Sequence, residues 1–232
     1  MKDYDDTIET SKICNLSKIP WEISKNPFVE LSKLILENNA DETCIERLVQ
    51  SIQPKSMTTK TLASLYDVES EVLKKYPGDT VFLPWIHTSP LPNSYRDVFF
   101  DIFHNESYVL KQFLKIKNIT QSIKKLGYRP DLYAQENRQK HIVGYWMEFD
   151  NDRRFYVTAG NHRVAVIHNV CEEKNIPILY EKIELCKQRD LLNRSGFRRV
   201  YTNKDLDSWP SVSSGFLKKS EAEAILLKYI YG

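Results

Sequence analysis

Gly160, Asn161, His162 and Arg163 stand where a β-branched and aromatic run, RRFYVTA, gives way to a segment with helical apolar spacing. A strand that passes straight into a helix leaves the first backbone N–H groups of that helix without intrahelical acceptors. The helix dipole adds partial positive charge at the same end, a glycine lets a ligand approach the backbone, and Arg163 supplies a planar cation matched to phosphate oxygens. His162 can donate to a phosphate or shuttle a proton, its ordinary pKa being about 6.5. The chemistry implied is capture of a phosphate group. The same residues also fit a bland arrangement: a glycine turn, Asn161 as N-cap, a surface histidine and a solvated arginine.

Other residues offer weaker chemistry. In KQRDLLNRSGFRR, residues 187–199, Lys187, Arg189, Arg194, Arg198 and Arg199 face one acid, Asp190. That segment reads either as a second anion site or as a solvated face. His87 and His104 lie near aromatic runs and are ordinarily packing or surface residues. The four cysteines, Cys14, Cys44, Cys171 and Cys186, form no CxxC pair, so neither a zinc site nor a disulfide framework is expected. Trp85, Trp146 and Trp209 read as core rather than as nucleobase platforms.

The elements that must position these residues follow from periodicity. In the first 80 residues the pattern is helical and polar, clearest in NPFVELSKLILENN, where Phe28, Leu31, Leu34 and Ile35 recur on one face. A second helix is expected after Pro54 and the Thr58/Thr59 pair, with Leu62, Leu65 and Tyr66 on its face, and a turn at Tyr76-Pro77-Gly78-Asp79. TVFLPWI, residues 80–86, reads as the first core strand, interrupted at Pro84. A helix with Leu110, Phe113 and Leu114 on one face follows, then a shorter one restarting at Asn118 and Thr120 and closed by Gly127.

HIVGYWMEF and RRFYVTA form a hairpin across Asp150-Asn151-Asp152, the second strand half-buried with Phe155, Val157 and Ala159 on one face. After the helix from Asn161, IPILYEKIEL, residues 176–185, returns to a strand pattern. SEAEAILLKYIYG reads as a final docked helix, with Ser220 and Glu223 spaced as a capping box. The order is that of an α+β protein.

Composition sets limits. Hydrophobic residues at 41% and charged residues at 28% are those of a folding globular chain. A net charge of +2 is too small for a broad positive field, so any anion contact is local. No run is long and apolar enough for a membrane span, and MKDYDDTIETSK is too polar for a signal peptide, so a cytoplasmic location without membrane insertion is expected.

QSIKKLGYRPDLYA, the hairpin and FYVTAGNHRVAVIHN together resemble the ParB/sulfiredoxin superfamily pattern. The positions concerned are Ser122, Ile123, Gly127, Pro130, Gly160, His162, Arg163 and Ala165, within residues 80–185. The resemblance implies a small mixed sheet of the ParB/sulfiredoxin type packed with helices. Its implied organisation is a helical N-terminal extension over 1–79, a core over 80–186, and a basic loop with a C-terminal helix over 187–232. LPW at 83–85, YR at 95–96 and WPSVSSGFLKKSEAEAI at 209–225 are similar to ParB-like proteins of bacterial surface-polysaccharide gene clusters.

Members of the superfamily hold nucleotide phosphates on a G-x-x-R turn, which makes Gly160, Asn161, His162 and Arg163 the implied nucleotide-binding residues, with ATP, ADP or CTP and Mg²⁺ as ligands. Its kinases bring a carboxylate from just after the first core strand. Asp97 is thus the implied general base, with Asp101 and Glu106 as substitutes, beside His162 and Arg163 as catalytic residues. Arg96, Arg194, Arg198 and Arg199 are the implied substrate or anion contacts. Sulfiredoxins need a cysteine immediately before the His-Arg pair; this chain has Asn161 there, and an amide cannot replace a thiolate nucleophile. Only one clear helix follows the last strand, so the DNA reader of the partition proteins is not expected.

Three functions remain open at this point: phosphoryl transfer from a nucleotide to a small hydroxylated metabolite or sugar, a nucleotide-dependent DNA- or protein-binding module, and a degenerate member whose turn only caps a helix.

Overall fold

A computed structural model of the chain describes residues 6–16, 19–20, 27–37, 83–86, 88, 106–130, 142–170, 175–180 and 198–231. The expected second helix with Leu62, Leu65 and Tyr66, the 76–79 turn and most of the basic segment 187–197 lie outside them. The protein is α+β. It divides into two units, one of Met1–Gln53, Ile102–Gly144 and Phe155–Tyr180, the other of Pro54–Asp101, Tyr145–Arg154 and Glu181–Gly232. These interleave along the chain.

In the first unit the strands are β1 (Asp6–Glu9), β2 (Ile13–Leu16), β3 (Ile19–Pro20) and β6 (Asn175–Tyr180), with the adjoining ends of β4 (Val143–Phe149) and β5 (Asp152–Ala159). Their order is β1-β6-β4-β5-β2-β3. β1 runs antiparallel to β6 with Ile8 opposite Ile176, and β6 runs parallel to β4 with Val143 opposite Leu179. β5 pairs in parallel with β2, whose register shifts between Ile13 and Asn15. β1, β2 and β3 therefore correct the helical expectation for the N-terminus. Ile8 is β-branched and buried between the exposed Thr7 and Glu9, the alternation of a strand covered on one face rather than of a helix stripe.

Three helices belong to this unit: α1 (Pro27–Leu36), α2 (Glu106–Leu126) and α3 (Asn161–Val170). α1 buries Phe28, Val29, Leu31 and Ser32. α2 is one continuous helix of 21 residues, which corrects the expected break at Asn118 and Thr120. Phe113, Ile116, Thr120 and Ile123 form its buried stripe, so packing continues across the threonine and overrides its capping preference. Leu110 and Leu114, expected on the inward face, are instead exposed. Gly127, at φ 71°, closes the helix with its N–H on the Ile123 carbonyl at 2.8 Å.

The β4–β5 hairpin turns at Asp150-Asn151, with Asp150 at φ 52°. β5 is not half-buried: Phe155, Tyr156 and Val157 are all nearly inaccessible, so successive side chains are covered on both faces. β5 lies between β4 and β2 in the sheet, and an interior strand is not obliged to alternate. Gly144 allows the close approach of β5, since a Cβ there would meet the Tyr156 carbonyl oxygen and lie 2.6 Å from Phe155 Cε1.

The second unit holds β7 (Val200–Thr202), parallel to β4 with Trp146 opposite Val200, then α4 (Pro210–Ser213) and α5 (Lys219–Tyr231). Its core is aromatic. Trp85 donates from Nε1 to the Tyr145 hydroxyl at 2.8 Å and meets Trp209 and Tyr229 edge-on at 5.5 and 5.3 Å. Of the predicted strand 80–86, the described part is a turn, with the Ile86 N–H on the Leu83 carbonyl at 2.9 Å. Pro84 supplies the fixed φ of such a turn and no strand donor.

α5 buries Ala222, Ile225, Leu226, Tyr229 and Ile230, the stripe expected from its spacing. Its cap differs: the Glu221 carboxylate, not that of Glu223, reaches back to the Lys218 N–H at 2.8 Å, because the helix begins ahead of Ser220.

Candidate functional site

The first turn of α3 gathers the residues singled out by the sequence. β5 ends at Ala159, and Gly160 takes φ 96°, a left-handed conformation that a side chain would strain. Its carbonyl accepts from the N–H groups of Arg163 and Val164 at 2.9 and 3.1 Å. Gly160 is thus the capping residue, and Asn161 the first helical one, which corrects the expectation that Asn161 caps the helix. The first helical hydrogen bond is made by Arg163, so the Asn161 and His162 amides precede it while the Arg163 amide is engaged.

The Asn161 Oδ1 and His162 Nε2 atoms are shielded from solvent and lack a hydrogen-bond partner among the described residues. An orphaned acceptor beside an orphaned imidazole nitrogen suits a ligand that both gives and takes hydrogen bonds. The His162 ring lies against Phe28 of α1, centroids 4.6 Å apart at 49°. Burial, then the positive charges of Lys115 and Arg163, push its pKa down to about 3. The ring is accordingly neutral near pH 7 and acts there as a hydrogen-bonding group, in contrast to the surface histidine of the bland reading.

α2 brings two cations that the sequence reading overlooked. Lys115 has its pKa lowered by desolvation, then by Arg163 and by Lys111 one turn back. Tyr128 accepts from the Ile142 N–H at 3.3 Å. Burial raises its pKa to about 12, opposed by that hydrogen bond and by Arg163. Lys111, Lys115 and Arg163 thus share one field with His162 and Tyr128. Two lysines four apart in a long helix were the available signal, but which neighbour they approach is set by how α2 packs on α3. Like charges held together repel, and a bound anion relieves that repulsion.

The support behind this turn is specific. Asn169 of α3 donates from Nδ2 to the Val29 carbonyl and to Ser32 Oγ, both at 2.6 Å, and the buried Ser32 hydroxyl lies 2.9 Å from the Val29 carbonyl and 3.3 Å from that of Ala165. These bonds fasten α1 to α3 and hold Phe28 over His162.

The remaining candidates stand elsewhere. Arg198 pairs with Asp205 at 3.1 Å, both half-exposed, and Arg199 offers its carbonyl to the Trp146 N–H at 2.9 Å; both belong to the second unit. Asp97, Arg96, Arg194, Asp101, His87, His104, Cys44, Cys171 and Cys186 lie outside the described residues. Glu106 opens α2, with its side chain outside the description. Among the described residues no three of His, Cys, Asp and Glu gather as metal ligands, and no helix is long and apolar enough to cross a membrane. Compared with protein-family models, curated proteins and solved structures, the chain matches none.

Proposed function

We propose that the chain binds the phosphate groups of a nucleotide at the first turn of α3 and passes a phosphoryl group to a small hydroxylated metabolite or sugar. The observation that carries the binding half is the convergence of Lys115 and Arg163 on the helix start that also bears the unpartnered His162 Nε2. The residues suit such a ligand: the Asn161 and His162 amides, two cations and a neutral imidazole are donors aimed at one end of a helix dipole.

In this reading Arg163 and Lys115 hold phosphoryl oxygens, His162 orients one of them, and Asn161 accepts from a hydroxyl. The general base is assigned to Asp97 on the superfamily resemblance. Mg²⁺ arrives with the nucleotide and neutralises charge on the transferred group. The reading includes a ParB/sulfiredoxin-type core, a cytoplasmic setting and a connection to surface-polysaccharide synthesis.

Thermal-shift measurements with ATP, ADP, CTP and GTP plus Mg²⁺ test the binding half, since a ligand selective for the native state raises Tm. A shift lost in Arg163→Ala is expected; no shift with any nucleotide rejects the reading. Acceptor-dependent release of nucleoside diphosphate tests the transfer.

A second reading is a nucleotide-dependent binding module without transfer. The charges at the turn favour it: those that act on His162 and Lys115 are all positive, with no described carboxylate among them to activate an acceptor. It predicts nucleotide affinity with no acceptor-dependent turnover, and for a DNA partner a steep loss of binding with salt.

A further inference from the structure

α2 presents a distinct surface on the side away from its buried stripe. The helix contains five lysines, Lys111, Lys115, Lys117, Lys124 and Lys125, and a single acid, Glu106 at its first position. Lys117, Lys124 and Lys125 are exposed in one sector of the helix, beside the buried stripe of Phe113, Ile116, Thr120 and Ile123, while Lys111 and Lys115 lie on the other side, in the field of Arg163. Leu110 and Leu114 share the sector of Lys117, Lys124 and Lys125 one turn apart, each 47% exposed, and Leu126 is 50% exposed. None of these lysines makes an ion pair with another described residue, though Lys117 rests 5.9 Å above the Phe113 ring.

A merely solvated helix face usually intersperses both signs of charge and keeps large apolar side chains inward. This face does neither. With a net charge of +2 for the whole chain, three lysines without an acid among them make this sector a local positive patch. The partner is therefore anionic, and it must also accept leucines. A nucleic-acid backbone suits the lysines but sets the leucines against phosphates and water. The headgroup layer of an anionic bilayer suits both, since lysine stems lie along apolar surface while their ammonium groups reach phosphates, and leucines enter the acyl boundary.

We infer that the solvent face of α2 docks peripherally on an anionic phospholipid surface, Leu110 and Leu114 entering between headgroups and Lys117, Lys124 and Lys125 pairing with lipid phosphates. Nothing in this contact spans the bilayer. The residues named are separate from the α3 turn, so docking stands or falls independently of nucleotide binding.

Co-sedimentation of the full chain with vesicles of phosphatidylcholine, alone and mixed with phosphatidylglycerol, tests the inference. Binding to the mixed vesicles only, weakened by salt, is expected. Each of Lys117→Gln, Lys124→Gln and Lys125→Gln should weaken it roughly fivefold, the effect of one basic residue near a charged membrane. Leu110→Ser with Leu114→Ser should weaken it further at every salt concentration, with Tm unchanged because both sites are exposed. Equal sedimentation with both vesicle types, undiminished binding by the leucine double variant, or preference for duplex DNA over the mixed vesicles would each overturn the docking mode.

Discussion

The imidazole of His162 is stacked at a tilt on the ring of Phe28, 4.6 Å between centroids, which removes it from water at the start of α3. Its pKa falls to about 3 through desolvation, with Lys115 and Arg163 adding to the effect. The unfolded chain, with an ordinary histidine, binds this proton more tightly, so unfolding takes up a proton between pH 6.5 and about 3. The stability at issue is fully present above that window and falls as pH falls through it. Denaturant unfolding measured across the window should show this loss, and His162→Gln should flatten it. A bound phosphate should raise the imidazole pKa, which NMR titration of the ring reads directly.

Lys115→Gln separates stability from ligand capture. Its charge is disfavoured by burial, Arg163 and Lys111, so removing it should leave the ligand-free protein as stable or more so. Affinity for phosphate or nucleotide should nonetheless drop about tenfold or more, the loss of one charge-assisted hydrogen bond. Parallel measurement of ligand-free Tm and of affinity by calorimetry checks this pair of outcomes; a fall in Tm with unchanged affinity would contradict it.

Gly144→Ala should destabilise the protein by about 1–3 kcal/mol or more, the range for forcing a methyl into a filled site. The added Cβ meets the Tyr156 carbonyl oxygen and the edge of the Phe155 ring, and backbone cannot give way as a flexible side-chain end would. Chemical denaturation with an unchanged slope would place the effect in the native sheet.

Asn169→Ala should cost about 1–3 kcal/mol, because it weakens the buried bonding around Ser32 and the Val29 carbonyl. The second readout is functional. Loosening α1 from α3 lifts Phe28 from His162, so the imidazole pKa should move up toward 6.5 in this variant. A stability loss without that movement would assign Asn169 to packing alone.

Several features of this architecture are written locally. The hairpin at Asp150-Asn151, the change from strand to helix at Gly160 and the apolar stripe of α5 depend on turn residues and on periods of two and 3.6, all visible within a few residues. So was the α+β order of elements from β4 to β6. Where the reading missed, the deciding interactions were distant in sequence. Thr120 looks like a helix start until Ile116 and Ile123 bury the face it shares, and β1 and β2 look like polar chain until β6 and β5 pair with them.

By itself, then, the sequence determined that Gly160 to Arg163 carry the chain from a strand straight into a helix, because glycine permits the left-handed step and the helix that follows begins at once. Tertiary structure alone decided which charges surround that turn and what protonation state His162 holds. Lys111 and Lys115 reach Arg163 only through the packing of α2, and the imidazole loses its proton affinity through burial, to which Phe28 contributes from far away in the chain, and through the charges of Lys115 and Arg163. A residue type fixes what a side chain is able to do, whereas desolvation and neighbouring charge fix what it does, and both are properties of packing.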